Sequence, residues 1–127
     1  RLSRAVIPFM KQIGGGHIVN VSSVAALVPM GTVAVYCATK AFLNSFSQSL
    51  NDELKADGIR VQALCPGYVR TEFHNADLAG GFNVDEIPEQ YWLPAATVVE
   101  QSLAALNAES PIVIAASDDL KGALGLA

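Results

Sequence analysis

The first apolar positions, Leu2, Ala5, Val6, Phe9, Met10 and Ile13, recur at three and four, the spacing of a helix with one broad apolar face. Pro8 lies inside that run and predicts a kink. Gly14-Gly15-Gly16 ends the helix and turns the chain. Residues 17–22 are then apolar nearly throughout, as expected of a parallel strand covered on both faces. Residues 24–35 hold small side chains, Pro29 and Gly31, and have no period, which predicts a loop with room for one turn of helix. Helical spacing returns over about 36–56 through Phe42, Leu43, Phe46, Leu50 and Leu54, and Gly58 is a natural stop after Asp57. Residues 59–65 form a second apolar strand, which Pro66-Gly67 breaks. The next segment, 68–93, has scattered apolar residues punctuated by Gly80-Gly81 and Pro88, the pattern of a long lid or a disordered insertion. Residues 94–107 carry Val98, Val99, Leu103 and Leu106 at helical spacing, with Pro94 suited to a first turn. A third strand over 111–116 and a weak helix over 117–127 complete the chain.

This alternation of helix and strand implies right-handed crossovers and a parallel sheet, an α/β fold of the doubly wound kind. Ligands of such sheets bind beyond the carboxyl ends of the strands. Ser22-Ser23 end the first strand and Pro66-Gly67 the second, so both fall on that edge. The chain offers three strands and three to four helices, where a complete sheet of this kind has about five strands or more. It also opens as a helix in progress, with no initiator Met and no N-cap. The expectation is one partial domain over 1–127, the C-terminal part of a larger sheet.

Composition narrows the partners. The chain is 51% hydrophobic and 16% charged, an apolar excess that calls for a core or a covered surface. Its net charge of −4 and pI near 4.9, with no basic cluster, argue against nucleic acid. No apolar run reaches the ~18 residues of a membrane span. Residues 1–10 lack the apolar core and cleavage site of a signal peptide. Cys37 and Cys65 are too few for a disulfide framework and have no metal spacing, so both read as packing residues of a cytoplasmic protein, with no metal site.

The candidate chemistry sits at the strand ends. Tyr36 and Lys40 are four apart and share a helix face. An ammonium close to a phenol favours phenolate, which makes the tyrosine a usable acid or base near neutrality. Such pairs are common, and alone this one reads equally as a packed Tyr and a solvated Lys. Ser23, thirteen residues before Tyr36, adds a hydroxyl able to donate to a carbonyl oxygen, or else a cap for the segment that follows. Ser22 reads as the capping or backbone member of the pair. In Pro66-Gly67-Tyr68-Val69-Arg70-Thr71, Gly67 allows close approach to a planar ligand, and Val69 and Thr71 offer backbone and hydroxyl hydrogen bonds. His17 reads as structural and His74 as a loop residue. Tyr91 and Trp92 line a substrate site or pack the lid. Asp52, Glu53 and Asp57 form a solvated face, and Arg70 has no visible partner.

The set HIVNVSS, YCATK and RVQALCPGYVRT resembles the short-chain dehydrogenase/reductase family over residues 1–71. The family's Tyr-x-x-x-Lys falls on Tyr36 and Lys40, its serine on Ser23, its Pro-Gly on Pro66 and Gly67, and its Thr on Thr71. The resemblance implies a Rossmann fold and an oxidoreductase that moves hydride between NAD or NADP and a small alcohol or carbonyl substrate. Tyr36 would be the acid/base and Ser23 would orient the substrate oxygen. Lys40 would tune Tyr36 and, with it, bind ribose, while Pro66, Gly67, Val69 and Thr71 would hold the carboxamide. The helices over 1–13 and 36–56 match those through which family members form dimers and tetramers, and 72–93 the variable substrate segment. The family's glycine-rich phosphate turn, its NAD/NADP selector, its Asn-Ala-Gly motif and its catalytic asparagine would all lie before Arg1. The alternative is a remnant without catalysis that serves as an interaction or dimerisation module.

Overall fold

The computed structural model describes residues 1–72 and 84–126. Helix α1 (Leu2–Ile13) leads into strand β1 (Gly16–Val21), a 3-10 turn (Val24–Ala26) and the long helix α2 (Ala34–Leu54). Strand β2 (Ile59–Pro66) runs almost directly into β3 (Tyr68–Arg70). After the undescribed residues, β4 (Trp92–Pro94), α3 (Ala95–Ala104), β5 (Ile112–Ala115) and α4 (Asp118–Leu124) follow. The main sheet is parallel, in the order β1-β2-β5. With helices on both faces, it is the α/β, Rossmann-like arrangement that the pattern predicts.

Register explains the layers. Gly16 pairs with Ile59 and Val21 with Leu64, so Ile18, Ile59 and Val61 share a face. There they meet Leu50 and Leu54 of α2, with Ile7 and Met10 of α1 packed alongside. On the opposite face Leu64 and Ala115 close against Val98 of α3. A third cluster, Val24, Ala116 and Leu120, lies where the strands end and brings α4 against the 3-10 turn. Lys11 pairs with Asp57 at 2.7 Å and ties α1 to the end of α2, so Asp57 is more than part of a solvated face.

Four expectations need correction. β1 is not covered on both faces: it is an edge strand of the described sheet, and Val19 and Val21 are 39% and 56% exposed. Helix α3 packs against β2 and β5 on that side, with Gln62 Nε2 donating to the Ser102 carbonyl. The stretch after Gly67 is not wholly irregular, because β3 and β4 pair in parallel, Tyr68 with Trp92 and Arg70 with Pro94. Arg70 has partners, an ion pair with Glu89 and the face of Trp92 at 5.4 Å. Pro94 stands at the N-cap of α3, one residue before the helix. Among the described residues no helix is long and apolar enough to cross a membrane.

Candidate active site

Ser22 and Ser23 follow β1, and their hydroxyls do different things. Ser23 Oγ accepts from the Ala25 amide at 3.1 Å and caps the 3-10 turn, so the capping alternative describes its hydroxyl in this structure. Ser22 is buried, and its hydroxyl donates to the Lys40 carbonyl at 3.1 Å. Its amide donates to the Leu64 carbonyl, which extends the β1–β2 ladder by one residue.

Helix α2 begins two residues before Tyr36, which makes Tyr36 its third residue and leaves it half-buried. One turn on, the Lys40 ammonium lies over the Tyr36 ring, 5.6 Å from its centroid, and donates to the Val21 carbonyl at 2.9 Å. Partial burial pulls this ammonium below the ordinary lysine range, with Cys65 opposing the shift. The helix packs against the turn that Ser23 caps, so Ser23, Tyr36 and Lys40 belong to one edge of the sheet.

Cys65 lies behind that edge. Burial pushes its thiol up, opposed by hydrogen bonding with Asn44, Ser22 and the Ser23 backbone and by the charge of Lys40. Its Sγ donates to Asn44 Oδ1 at 3.4 Å. Asn44 shares the helix face of Tyr36 and Lys40, and its Nδ2 is a buried donor without a partner among the described residues. Asn44 and the hydrogen bond from Ser22 to the Lys40 carbonyl escape a reading based on motifs. The four-residue spacing 36, 40, 44 was the available signal. Both cysteines are free, Cys65 buried and Cys37 half-buried. A thiol-reactive dye should therefore titrate one thiol quickly in the folded protein and the second only in denaturant. Two fast thiols would show that the end of β2 opens.

Pro66 pairs with Ala115, and the Gly67 amide donates to the Ala115 carbonyl at 2.9 Å. A Cβ on Gly67 would lie 2.6 Å from Leu120 Cδ2 and 2.9 Å from Ala116 Cβ. Packing against α4 therefore requires glycine here, a reason different from ligand approach. Val69 turns its side chain into the Leu64, Val98 and Ala115 cluster. Thr71 is exposed and, with Arg70, Ile87 and Trp92, lines an open cleft of about 600 Å³. Of the predicted site residues, only Thr71 lines that cleft among the described residues. The rings of Trp92 and Tyr68 meet at a 45° tilt, their centroids 5.5 Å apart, while Tyr91 packs towards Leu120. His17 Nε2 meets Asn107 Oδ1 at 3.1 Å, in keeping with a structural role. His74 lies outside the described residues. Among the described residues no group of acidic, His and Cys side chains is arranged to hold a metal.

Known proteins resemble this chain in sequence and fold. The chain is 40% identical over 72 residues to a very-long-chain 3-oxoacyl-CoA reductase of Bos taurus, covering 57% of this chain and 23% of that protein. A short-chain dehydrogenase from Sphingobium yanoikuyae, solved in complex with NADPH, superposes with a TM-score of 0.76 at 36% identity. That match covers 89% of this chain and 42% of the other. A short chain dehydrogenase from Burkholderia cenocepacia in complex with NADP gives a TM-score of 0.75 at 27% identity, over 96% and 46%. The chain thus spans less than half the length of these relatives. The family model for short chain dehydrogenase matches residues 1–79, the part that carries β1, α2 and β2 with their serines, Tyr36 and Lys40. Sequence match and strand order agree here, and the chain belongs to the short-chain dehydrogenase family.

Proposed function

We propose that residues 1–127 form one partial domain, the catalytic part of a longer NAD(P)-dependent oxidoreductase acting on an alcohol or carbonyl. The observation that carries this reading is the Lys40 ammonium, fixed by the Val21 carbonyl at the strand end and lying over Tyr36. These residues fit the nicotinamide end of such a cofactor: Lys40 offers donors for ribose hydroxyls, and the backbone of 66–71 follows the adjacent strand. The upstream part of the protein would supply the phosphate cradle. When bound, the nicotinamide donates or accepts the hydride.

The chain's own residues handle the proton and the alignment. Tyr36 gives a proton to the substrate oxygen on reduction and takes it back on oxidation. Ser23, whose Oγ accepts from the Ala25 amide and keeps its own proton to give, donates to that same oxygen and orients it. Lys40 places a positive charge beside Tyr36. In the full-length protein, Ser23→Ala should lower kcat about tenfold to hundredfold, the value of one hydrogen bond to a charged group. Steady-state oxidation of NAD(P)H with a panel of ketones and aldehydes measures it. Unchanged turnover would remove Ser23 from the mechanism.

A second reading rests on α1, which has no buried residue and exposes Leu2, Phe9 and Ile13 by 84%, 61% and 62%. An apolar face of this kind suits homo-oligomers built through helices 1–13 and 36–56, either in the enzyme or in a module without catalysis. The cytoplasm is the compartment we assign, from the two free thiols. A fluorescence titration with NAD(P)H separates the two readings. Catalysis requires binding by the full-length protein, whereas an oligomer blind to the nucleotide favours the module.

A further inference from the structure

We infer that Ser22 is a positioning residue that holds Lys40 in its working place, an inference that rests on the oxidoreductase reading above. Two consecutive residues of one strand end grip the same lysine at both ends. The Val21 carbonyl accepts from Nζ at 2.9 Å, and the Ser22 hydroxyl donates to the Lys40 backbone carbonyl at 3.1 Å. Lysine carries its charge on a flexible four-carbon stem, so a contact at the tip alone leaves the helix free to slide beneath it. The Ser22 bond anchors the backbone from which the stem departs, near the start of a helix that is held further along by Asn20 donating to Ser47 and by Asn51 accepting from the Val61 amide.

The bond is not needed to satisfy the helix. A carbonyl in the middle of α2 already accepts the amide four residues on, and the hydroxyl uses its second lone pair. Nor is Ser22 a cap, since Ser23 caps the turn. Ser22 is itself anchored: only 4% exposed, it donates its amide to the Leu64 carbonyl at 2.6 Å. Strand β2 therefore holds Ser22, Ser22 holds α2, and Val21 receives the ammonium. Among the described residues, the titratable groups facing that ammonium are Tyr36 on its own helix and Cys65 on β2.

The test uses the full-length enzyme with Ser22→Ala, Ser22→Thr, Lys40→Met and the double variant Ser22→Ala/Lys40→Met. Ser22→Ala should raise KM for NAD(P)H about three- to tenfold, the value of one uncharged hydrogen bond. In the oxidation direction kcat/KM should reach its plateau at higher pH than in the wild type as Lys40 loses its hold near Tyr36. Ser22→Thr, which keeps the hydroxyl, should restore the pH profile even if its extra methyl lowers the melting temperature. On the Lys40→Met background, Ser22→Ala should add less than about twofold, because the group it acts through is gone. A wild-type pH profile in Ser22→Ala, or full additivity with Lys40→Met, overturns the inference. If Ser22→Ala does not fold, Ser22→Thr decides, and a shifted profile in it counts against the proposal. Full activity in Tyr36→Phe would sink the oxidoreductase reading itself, so the two failures are distinguishable.

Discussion

Tyr36→Phe is expected to lower kcat of the full-length oxidoreductase by about 10²–10⁴-fold, the range for losing a positioned acid/base. The substitution removes one oxygen and keeps the ring. That ring is half-buried at the start of α2, with the Lys40 ammonium over its face. Attraction between an ammonium and an aromatic face survives the loss of the hydroxyl, since phenylalanine presents a similar quadrupole. Thermal melting should therefore change little while turnover collapses. Stopped-flow measurement of the hydride step, with a melting curve alongside, checks both halves. A variant that turns over at the wild-type rate would remove Tyr36 from the chemistry. One that unfolds would show that its hydroxyl serves the fold.

The largest effect on stability is expected from Gly15→Ala. Gly15 sits at φ +141°, outside the regions open to residues with a Cβ, in the link between α1 and β1. An added Cβ would stand 2.6 Å from the Gly58 carbonyl oxygen and 3.2 Å from its carbon. Those are backbone atoms, and the same oxygen accepts the Gly16 amide at 3.2 Å. No rotamer relieves such a clash. The turn must move, and the first rung between β1 and β2 moves with it. The expected cost is about 3 kcal/mol or more, from strain plus overpacking. Two neighbours serve as controls. Gly14, at φ +87° with nothing within 4 Å of a built Cβ, should lose only about 1–2 kcal/mol as alanine. Gly31, with open space and no positive φ, should be close to neutral. Chemical denaturation of the three variants gives the order, and an equal loss at Gly14 and Gly15 would refute the steric part.

Much of the fold was legible because it follows from periodicity over long segments. The four-residue repeat through Phe42, Phe46, Leu50 and Leu54 runs over about three turns, and residues 59–65 have no exposed position to confuse the strand pattern. Strands β3 and β4 are three residues each, too short to show a period, and their pairing is decided by chain segments far apart in sequence. The partner of Arg70 escaped for the same reason, since Glu89 and Trp92 approach it only once β3 and β4 align. Composition misjudged β1. His17 to Val21 has the apolar character of a central strand, but coverage depends on neighbours that the pattern of one strand does not reveal. At the site, spacing put Tyr36 and Lys40 together correctly. The division of labour between Ser22 and Ser23 depends on which way each hydroxyl turns, and two adjacent serines look alike in a sequence.

The hold on Val21 has a consequence for the open side of β1. Gly16 and Ser22 donate their amides to β2, so the alternation of a strand points the amides and carbonyls of His17, Val19 and Val21 the other way. Of that outward row, the last carbonyl is taken by the Lys40 ammonium. A further strand laid along this edge finds free backbone at His17 and Val19 and meets a charge at Val21. Lys40 thus limits how far sheet growth can run, and keeps the last turn of the strand end clear of backbone.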